Sequence, residues 1–418
     1  MSQGFKDPQA LEGKLDTDAP TLSSEGTSMI YQTAASEQWR LEQGDVDSAF
    51  LSGGYLSPNR KVYFRVPKGG LPAVPELGWP ALPEGTILGA KKGSYGMKDA
   101  PLLWYLTHTG AVEELGCVRS RLSKALFLHY DAKGKLDGMI GIHVDDDLIT
   151  GTKQFFDTII ATLRKKFCFG KWHTANVPGE SLIHCGRRVT RGHDGSVHLD
   201  MQDYIDSVSP IKLTSERARN LTAPVTELER AELRQGVPKL AWVMRGVNPY
   251  ISFRVASLTQ RLHDAELTVE AVKEFNSTLA DAKRRAPTHI FHPINLRDAI
   301  VIAVGDASLA NVGKTKTRSQ AGSITLIAEK CLTGEGSDGR VSVVHWRSHR
   351  IKRVVRSTIA SETFAALEAV EQADLFRAHL AEMYYYNGRL DLRNWEEQVN
   401  STVPVLHVTD ARSLSTTL

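Results

Sequence analysis

Apolar and polar residues alternate through KVYFRVP (residues 61–67), which sets Val62, Phe64 and Val66 on one side, the period of a half-buried strand. Just before it, QWRLEQGDVDSAF (38–50) predicts a strand running into a turn or helix start. APLLWYLTHTGAVEELG (100–116) predicts a helix, with Pro101 tolerated in its first turn and Gly116 closing it. KALFLHYDAKGKLDGMIGIHVDDDLITG (124–151) predicts two strands around a Lys-Gly turn and a third strand after the aspartates Asp145, Asp146 and Asp147. In QFFDTIIATLRKKF (154–167), Phe155, Ile159, Leu163 and Phe167 recur at i, i+4, the stripe of an amphipathic helix. SLIHCGRRVTRGHDGSVHLDM (181–201) predicts a hairpin turning at Asp194-Gly195. Residues 202–290 read as mostly helical with charged outer faces.

The pattern changes near residue 297. AIVIAVGDAS (299–308), QAGSITLIAEK (320–330) and VSVVHWRSH (341–349) predict strands. TIASETFAALEAVEQADLFRAHLAEM (358–383) predicts a long helix facing its core with Phe364, Leu367, Val370, Ala373, Phe376 and Leu380. TVPVLHVTDARS (402–413) is another strand that ends at an aspartate. Residues 1–28, rich in Gly, Asp, Pro, Ser and Thr, read as loop or poorly ordered.

Composition bounds the function. The 418 residues suggest two or three domains, and 41% hydrophobic with 24% charged residues is ordinary for a globular protein. No apolar run reaches a membrane span, and the N-terminus lacks the core of a secretory signal. The expectation is a cytoplasmic or nuclear protein, not secreted and without a membrane partner. Cys117, Cys168, Cys185 and Cys331 are scattered without a C-x-x-C pair, which argues against a disulfide framework and a zinc site. Basic residues cluster at Lys91-Lys92, Arg164-Lys165-Lys166, Arg187-Arg188, Lys283-Arg284-Arg285 and in RSHRIKRVVR (347–356), and such clusters can neutralise phosphates.

Three aspartates at a hairpin tip repel one another, and an unpaired buried carboxylate is costly. A divalent cation removes the difficulty: magnesium takes oxygen ligands, and a pair of ions can bind the attacking and leaving oxygens of phosphoryl transfer. That chemistry needs a carboxylate from a neighbouring strand, and Asp45 ends the earlier one. Other patterns carry less. His345 and His349 read as structural or surface histidines, Gly93 and Gly96 lack the G-K-[ST] of a P-loop, and Ser357 and Ser361 lack a visible base.

GDVDSAFLSG resembles the first acidic motif of reverse transcriptases of copia-type retrotransposons. GSYGMKDAPLLWY resembles that family's Y-G-L-K-Q-A-P-R-x-W segment, and HVDDDLITG its Y-V-D-D-L-L-I-x-G. KLAWVMRGVNPYISFRVASLTQRL resembles the segment leading out of the polymerase. VGDAS, IASETFAALEAVEQA and VTDARSL resemble the three acidic motifs of the attached RNase H. The resemblance runs over about residues 28–418, with the motifs in the family's order.

The resemblance implies an α+β / α/β architecture: a remnant of the fingers (1–28), a reverse transcriptase palm and fingers (29–215), a helical thumb or connection (216–296) and an RNase H-like domain (297–418). Both ends are expected to be incomplete. It implies two Mg²⁺ (or Mn²⁺) ions per active site, held by Asp45, Asp145 and Asp146 in the polymerase and by Asp306, Glu362 and Asp410 in the nuclease. Phe50 matches the aromatic beneath the incoming sugar, which favours dNTP over rNTP. Gly96, Lys98 and Pro101 match the segment against nucleotide and template. Gly186, Arg187 and Arg188 fall where a hairpin gripping the primer is expected.

The implied partners are an RNA template, a DNA primer, the RNA–DNA hybrid and dNTP. Asp147 stands where the family usually has an apolar residue and reads as an extra acid. Asp99, Leu102 and His143 replace the family's Gln, Arg and Tyr, and Asp99 is expected to weaken binding by its charge. Two functions follow: an RNA-directed DNA polymerase with RNase H activity, or a truncated, inactive remnant that at most binds nucleic acid.

Overall fold

The computed structural model describes residues 7–285, 287–312, 318–334 and 336–411. The chain runs α1 (Pro8–Leu11), α2 (Ser24–Ser36), β1 (Arg40–Val46), α3 (Ala49–Ser52), β2 (Tyr63–Arg65), β3 (Ile87–Gly89), α4 (Ala100–Glu114), β4 (Val118–Arg119), β5 (Leu126–Tyr130), β6 (Leu136–His143) and β7 (Asp146–Gly151). It continues through α5 (Lys153–Phe155), α6 (Ala161–Lys166), β8 (Phe169–Thr174), β9 (Ser181–His184), β10 (Arg187–Arg191), β11 (Val197–Asp200), α7 (Gln202–Asp206), α8 (Ser215–Arg219), α9 (Glu227–Gly246), α10 (Ser252–Arg261) and α11 (Val269–Arg285). The last part is β12 (His289–Phe291), β13 (Ala299–Val312), β14 (Arg318–Glu329), β15 (Val341–Arg350), α12 (Thr358–Tyr384), α13 (Trp395–Asn400) and β16 (Val405–Val408).

An antiparallel six-stranded sheet, ordered β4-β5-β6-β7-β1-β8, forms the first layer. Period-2 alternation divides its side chains between two cores. Leu126, Leu128, Met139 and Leu148 pack on the α2 side, while Phe127, Ile140 and Ile149 pack with Trp104, Tyr105 and Val112 of α4. The α2-side core continues without a break through the sheet β12-β11-β10-β9, the helices α9 to α11, and the sheet β15-β14-β13-β16 with α12 across it.

Several local expectations are revised. The segment read as unstructured up to residue 28 contains the start of α2, capped by Ser23, whose hydroxyl accepts from the Gly26 amide. This helix is buried all round from Met29 to Ala35, so it carries no polar face for a periodic signal. KVYFRVP forms only the short β2, although its alternation holds, with Val66 buried, Val62 and Phe64 half-buried and Tyr63 exposed. The helix over 153–166 is interrupted by a π-helical stretch, Phe156–Ile160, whose extra residue shifts the phase. Phe155, Phe156 and Ile160 therefore point inward, while Ile159 is only half-buried. Residues 181–201 form three strands rather than two, because the chain also turns at Cys185-Gly186, where both residues have positive φ.

The helix α12 also differs from its expected stripe. Near its start it buries Ala365, Ala366 and Ala369 and leaves Leu367 exposed. The reason is a close approach to β13: a Cβ on Gly305 would lie 2.8 Å from the Ala365 carbonyl oxygen. Only small residues fit where the two backbones nearly touch. Among the described residues, no helix is long and apolar enough to cross a membrane.

Candidate active sites

Strand pairing brings the first acidic group together. Asp45 of β1 and Asp146 of β7 are register partners in an antiparallel ladder, so their side chains share a face. The Val46 amide donates to the Asp145 carbonyl, 2.9 Å, which closes the end of the ladder beside the hairpin tip. Gln43 donates from its side-chain amide to Asp146 Oδ1 at 3.1 Å. Burial raises the Asp45 carboxyl above its ordinary range, with repulsion from Asp145 and Asp47 adding to it. Burial likewise raises Asp146, against the Gln43 hydrogen bond and with repulsion from Asp145 and Asp45.

Asp147 behaves differently. Alternation turns it to the opposite face, where it is fully buried. There His108 Nε2 lies 3.0 and 2.9 Å from its two carboxylate oxygens. A histidine 39 residues away is its partner, and no sequence pattern pointed to it.

The residues around the tip divide by position. Phe50, half-buried in α3, packs its ring 5.0 Å from that of Tyr95. Gly96 has φ +88, a left-handed turn, and leads into exposed Lys98 and into Pro101 in the first turn of α4. Asp99 is not a free charge. It is 5% exposed and accepts from Arg60 at 2.9 and 3.3 Å, and the same guanidinium grips Asp7 and Gln9 of the N-terminal segment. The charge expected to weaken binding is therefore cancelled inside the fold, and Arg60 was missed because it lies in a loop without a motif.

Gly186 and Arg187 lie at the β9–β10 turn, and Arg187 lines a cavity of about 570 Å³ together with His143, Trp242, Arg245 and Arg347. Gly186 has φ +74, and a Cβ there would touch the Trp242 indole nitrogen at 3.4 Å. His143, which lines the same cavity, is the register partner of Asp146 on β6. Arg188 is instead paired with Asp200 at 2.9 Å.

Parallel pairing assembles the second acidic group. Val304 of β13 and Val408 of β16 are partners, so Asp306 and Asp410 each follow by two residues at the same sheet end. Glu362, in the first turns of α12, accepts from the Ala307 amide at 3.1 Å. One ligand oxygen from each of Asp306, Glu362 and Asp410 lies within 4.8 Å of the others. Burial pushes the Glu362 carboxyl up, and repulsion from Asp306 and Asp410 adds to it. A cation fits this donor set, since hard ions take several carboxylate oxygens and cancel such repulsion.

Residues 1–208 match the family described as "Reverse transcriptase (RNA-dependent DNA polymerase)". The chain is 25% identical over 300 residues, 67% of its length, to the retrovirus-related Pol polyprotein from transposon RE1 of Arabidopsis thaliana. It is 24% identical over 53% of its length to the putative transposon Ty5-1 protein YCL074W of Saccharomyces cerevisiae. It spans 18% of the first relative's length and 69% of the second's. A solved foamy viral protease-reverse transcriptase in complex with RNA/DNA hybrid is similar at a TM-score of 0.48 and 11% identity, over 95% of this chain and 47% of that one. Residues 1–208 thus carry a reverse transcriptase domain, distantly homologous to those of retrotransposon Pol polyproteins.

Proposed function

We propose that the chain is a copia-type RNA-directed DNA polymerase joined to an RNase H module, each performing phosphoryl transfer at its own group of carboxylates. One observation carries the reading: Asp45 and Asp146 are cross-strand partners beside Asp145, in a domain of the reverse transcriptase family. The second group, Asp306, Glu362 and Asp410, supports the nuclease half. Each set would hold two Mg²⁺ or Mn²⁺ ions. Such ions supply neutralisation of the reacting phosphate and a lower pKa for the attacking hydroxyl or water.

The chain's own residues supply position. Phe50 presents a ring beneath the incoming sugar and excludes a 2′-hydroxyl. Gly96, Lys98 and Pro101 border the nucleotide and template. Gly186 leaves room for the primer end, and Arg187 offers its guanidinium to a primer phosphate. The partners are an RNA template, a DNA primer, their hybrid and dNTP.

Primer extension on an RNA template and cleavage of an RNA–DNA hybrid, both with Mg²⁺, test the reading. D146N is expected to abolish extension and spare cleavage; E362Q is expected to do the reverse. Hybrid binding without turnover in either assay overturns the enzymatic reading in favour of an inactive remnant.

A further inference from the structure

The acidic hairpin turns through Val144, whose φ is +64. A β-branched residue seldom adopts this conformation, and such strain persists only where the surroundings over-determine it. Two side chains one turn apart on α4 supply that constraint. The Trp104 indole N–H donates to the Val144 carbonyl at 2.7 Å. His108 stacks on Trp104, ring centroids 4.8 Å apart and planes 15° from parallel, and bonds both oxygens of Asp147. Phe167 closes the edge of both rings at 5.2 and 5.1 Å. Trp104, His108 and Asp147 are all buried to within 1% of complete.

The contacts fall on either side of Asp145 and Asp146. One end of the hairpin is held through a carbonyl, the other through a carboxylate. An apolar pair would fill the same space without the cost of burying an Asp–His pair, so the polar contact stands out as a device for fixing register. We propose that Trp104 and His108 are positioning residues: together they clamp the turn and so set where Asp145 and Asp146 stand, with Asp147 serving as the anchor rather than as a metal ligand. The inference rests on the polymerase reading for its catalytic consequence, though not for the clamp itself.

A double-mutant cycle tests it. W104F keeps the ring and removes the N–H donor. The expected result is a fall in kcat for extension on the order of a hundredfold, the penalty of a small misplacement of reacting groups, with KM for dNTP and hybrid cleavage unchanged. V144G accepts positive φ without strain. In the V144G background the effect of W104F is expected to shrink to about twofold, since non-additivity is what coupled neighbours give. An equal W104F effect in both backgrounds means that Trp104 is only packing, and overturns the proposal.

A readout independent of activity comes from ¹⁵N-tryptophan labelling. The Trp104 indole proton is expected to exchange slowly in the parent chain, and about tenfold faster or more in D147L, where the anchor is gone. Unchanged exchange overturns the clamp, including when W104F does not fold. If the parent chain fails to extend primers while the exchange result holds, the polymerase reading falls and the clamp stands.

Discussion

Arg60 and Asp99 form a buried ion pair, Nε to Oδ2 at 2.9 Å, at the entrance to the helix that underlies the acidic hairpin. Both side chains are less than a tenth exposed, and the same guanidinium holds Asp7 down. The hydrogen bond from Arg60, helped by its charge, keeps the Asp7 carboxyl below its ordinary range. Removing one partner of such a pair strands the other without solvent. R60A is therefore expected to cost about 3 kcal/mol of stability, measured by urea denaturation, whereas R60K is expected to cost less. A loss under about 1 kcal/mol for R60A would mean that solvent reaches Asp99 freely.

Gly305 controls the second acidic group through backbone contact alone. A side chain there meets the Ala365 carbonyl at 2.8 Å and pushes α12 away from β13, carrying Glu362 from Asp306. G305V is expected to lower hybrid cleavage by about tenfold or more while primer extension stays within about twofold. Equal loss of both activities would point to general unfolding instead.

Phe50 gives a specificity test. Its ring rests on Tyr95, so truncation opens space at the proposed sugar position. F50V is expected to raise the efficiency of rNTP incorporation relative to dNTP by about tenfold, since an excluded group is worth roughly 1–3 kcal/mol of discrimination. An unchanged ratio in steady-state incorporation would assign Phe50 to the core alone.

His379 supplies a pH dependence. It is buried in α12 with Nδ1 unpartnered, and burial drops its pKa from 6.5 to about 4. Below pH 6.5 the unfolded chain takes up a proton that the folded chain refuses until about pH 4. This contribution to stability is therefore complete above 6.5 and drains as pH falls towards 4, by on the order of 3 kcal/mol. His289 and His184, also buried, drop to about 4 and about 3 and add to the same slope. H379L is expected to flatten the stability profile between pH 4 and 6.5, read from urea midpoints. A slope identical to that of the parent chain would show that His379 titrates normally.

The legible part of the sequence was the part written in alternation and order. Leu148 and Ile149 take opposite faces of β7, as their pattern after the aspartates requires. The strand ends at Asp306 and Asp410 and the helix bearing Glu362 were visible as elements, and the structure brings the three together. What escaped was long-range pairing of single polar residues: Arg60 with Asp99, and His108 with Asp147. Neither pair has a spacing that a linear reading can pick out. The helix α2 escaped for the opposite reason, since burial on every side erased its period. Leu367 was assigned inward by the three- and four-residue recurrence of apolar positions, but the tight α12–β13 approach is made by alanines and leaves this leucine turned out.

Glu382 of α12, fully buried, accepts from the Ser120 hydroxyl and the Arg121 amide at 2.6 Å each, which rivets the last sheet's helix to a loop of the first sheet. Apolar packing is continuous on both sides of that contact. The two groups of carboxylates are thereby joined through one packed core, and drawing them apart means stranding the Glu382 carboxylate away from both of its donors.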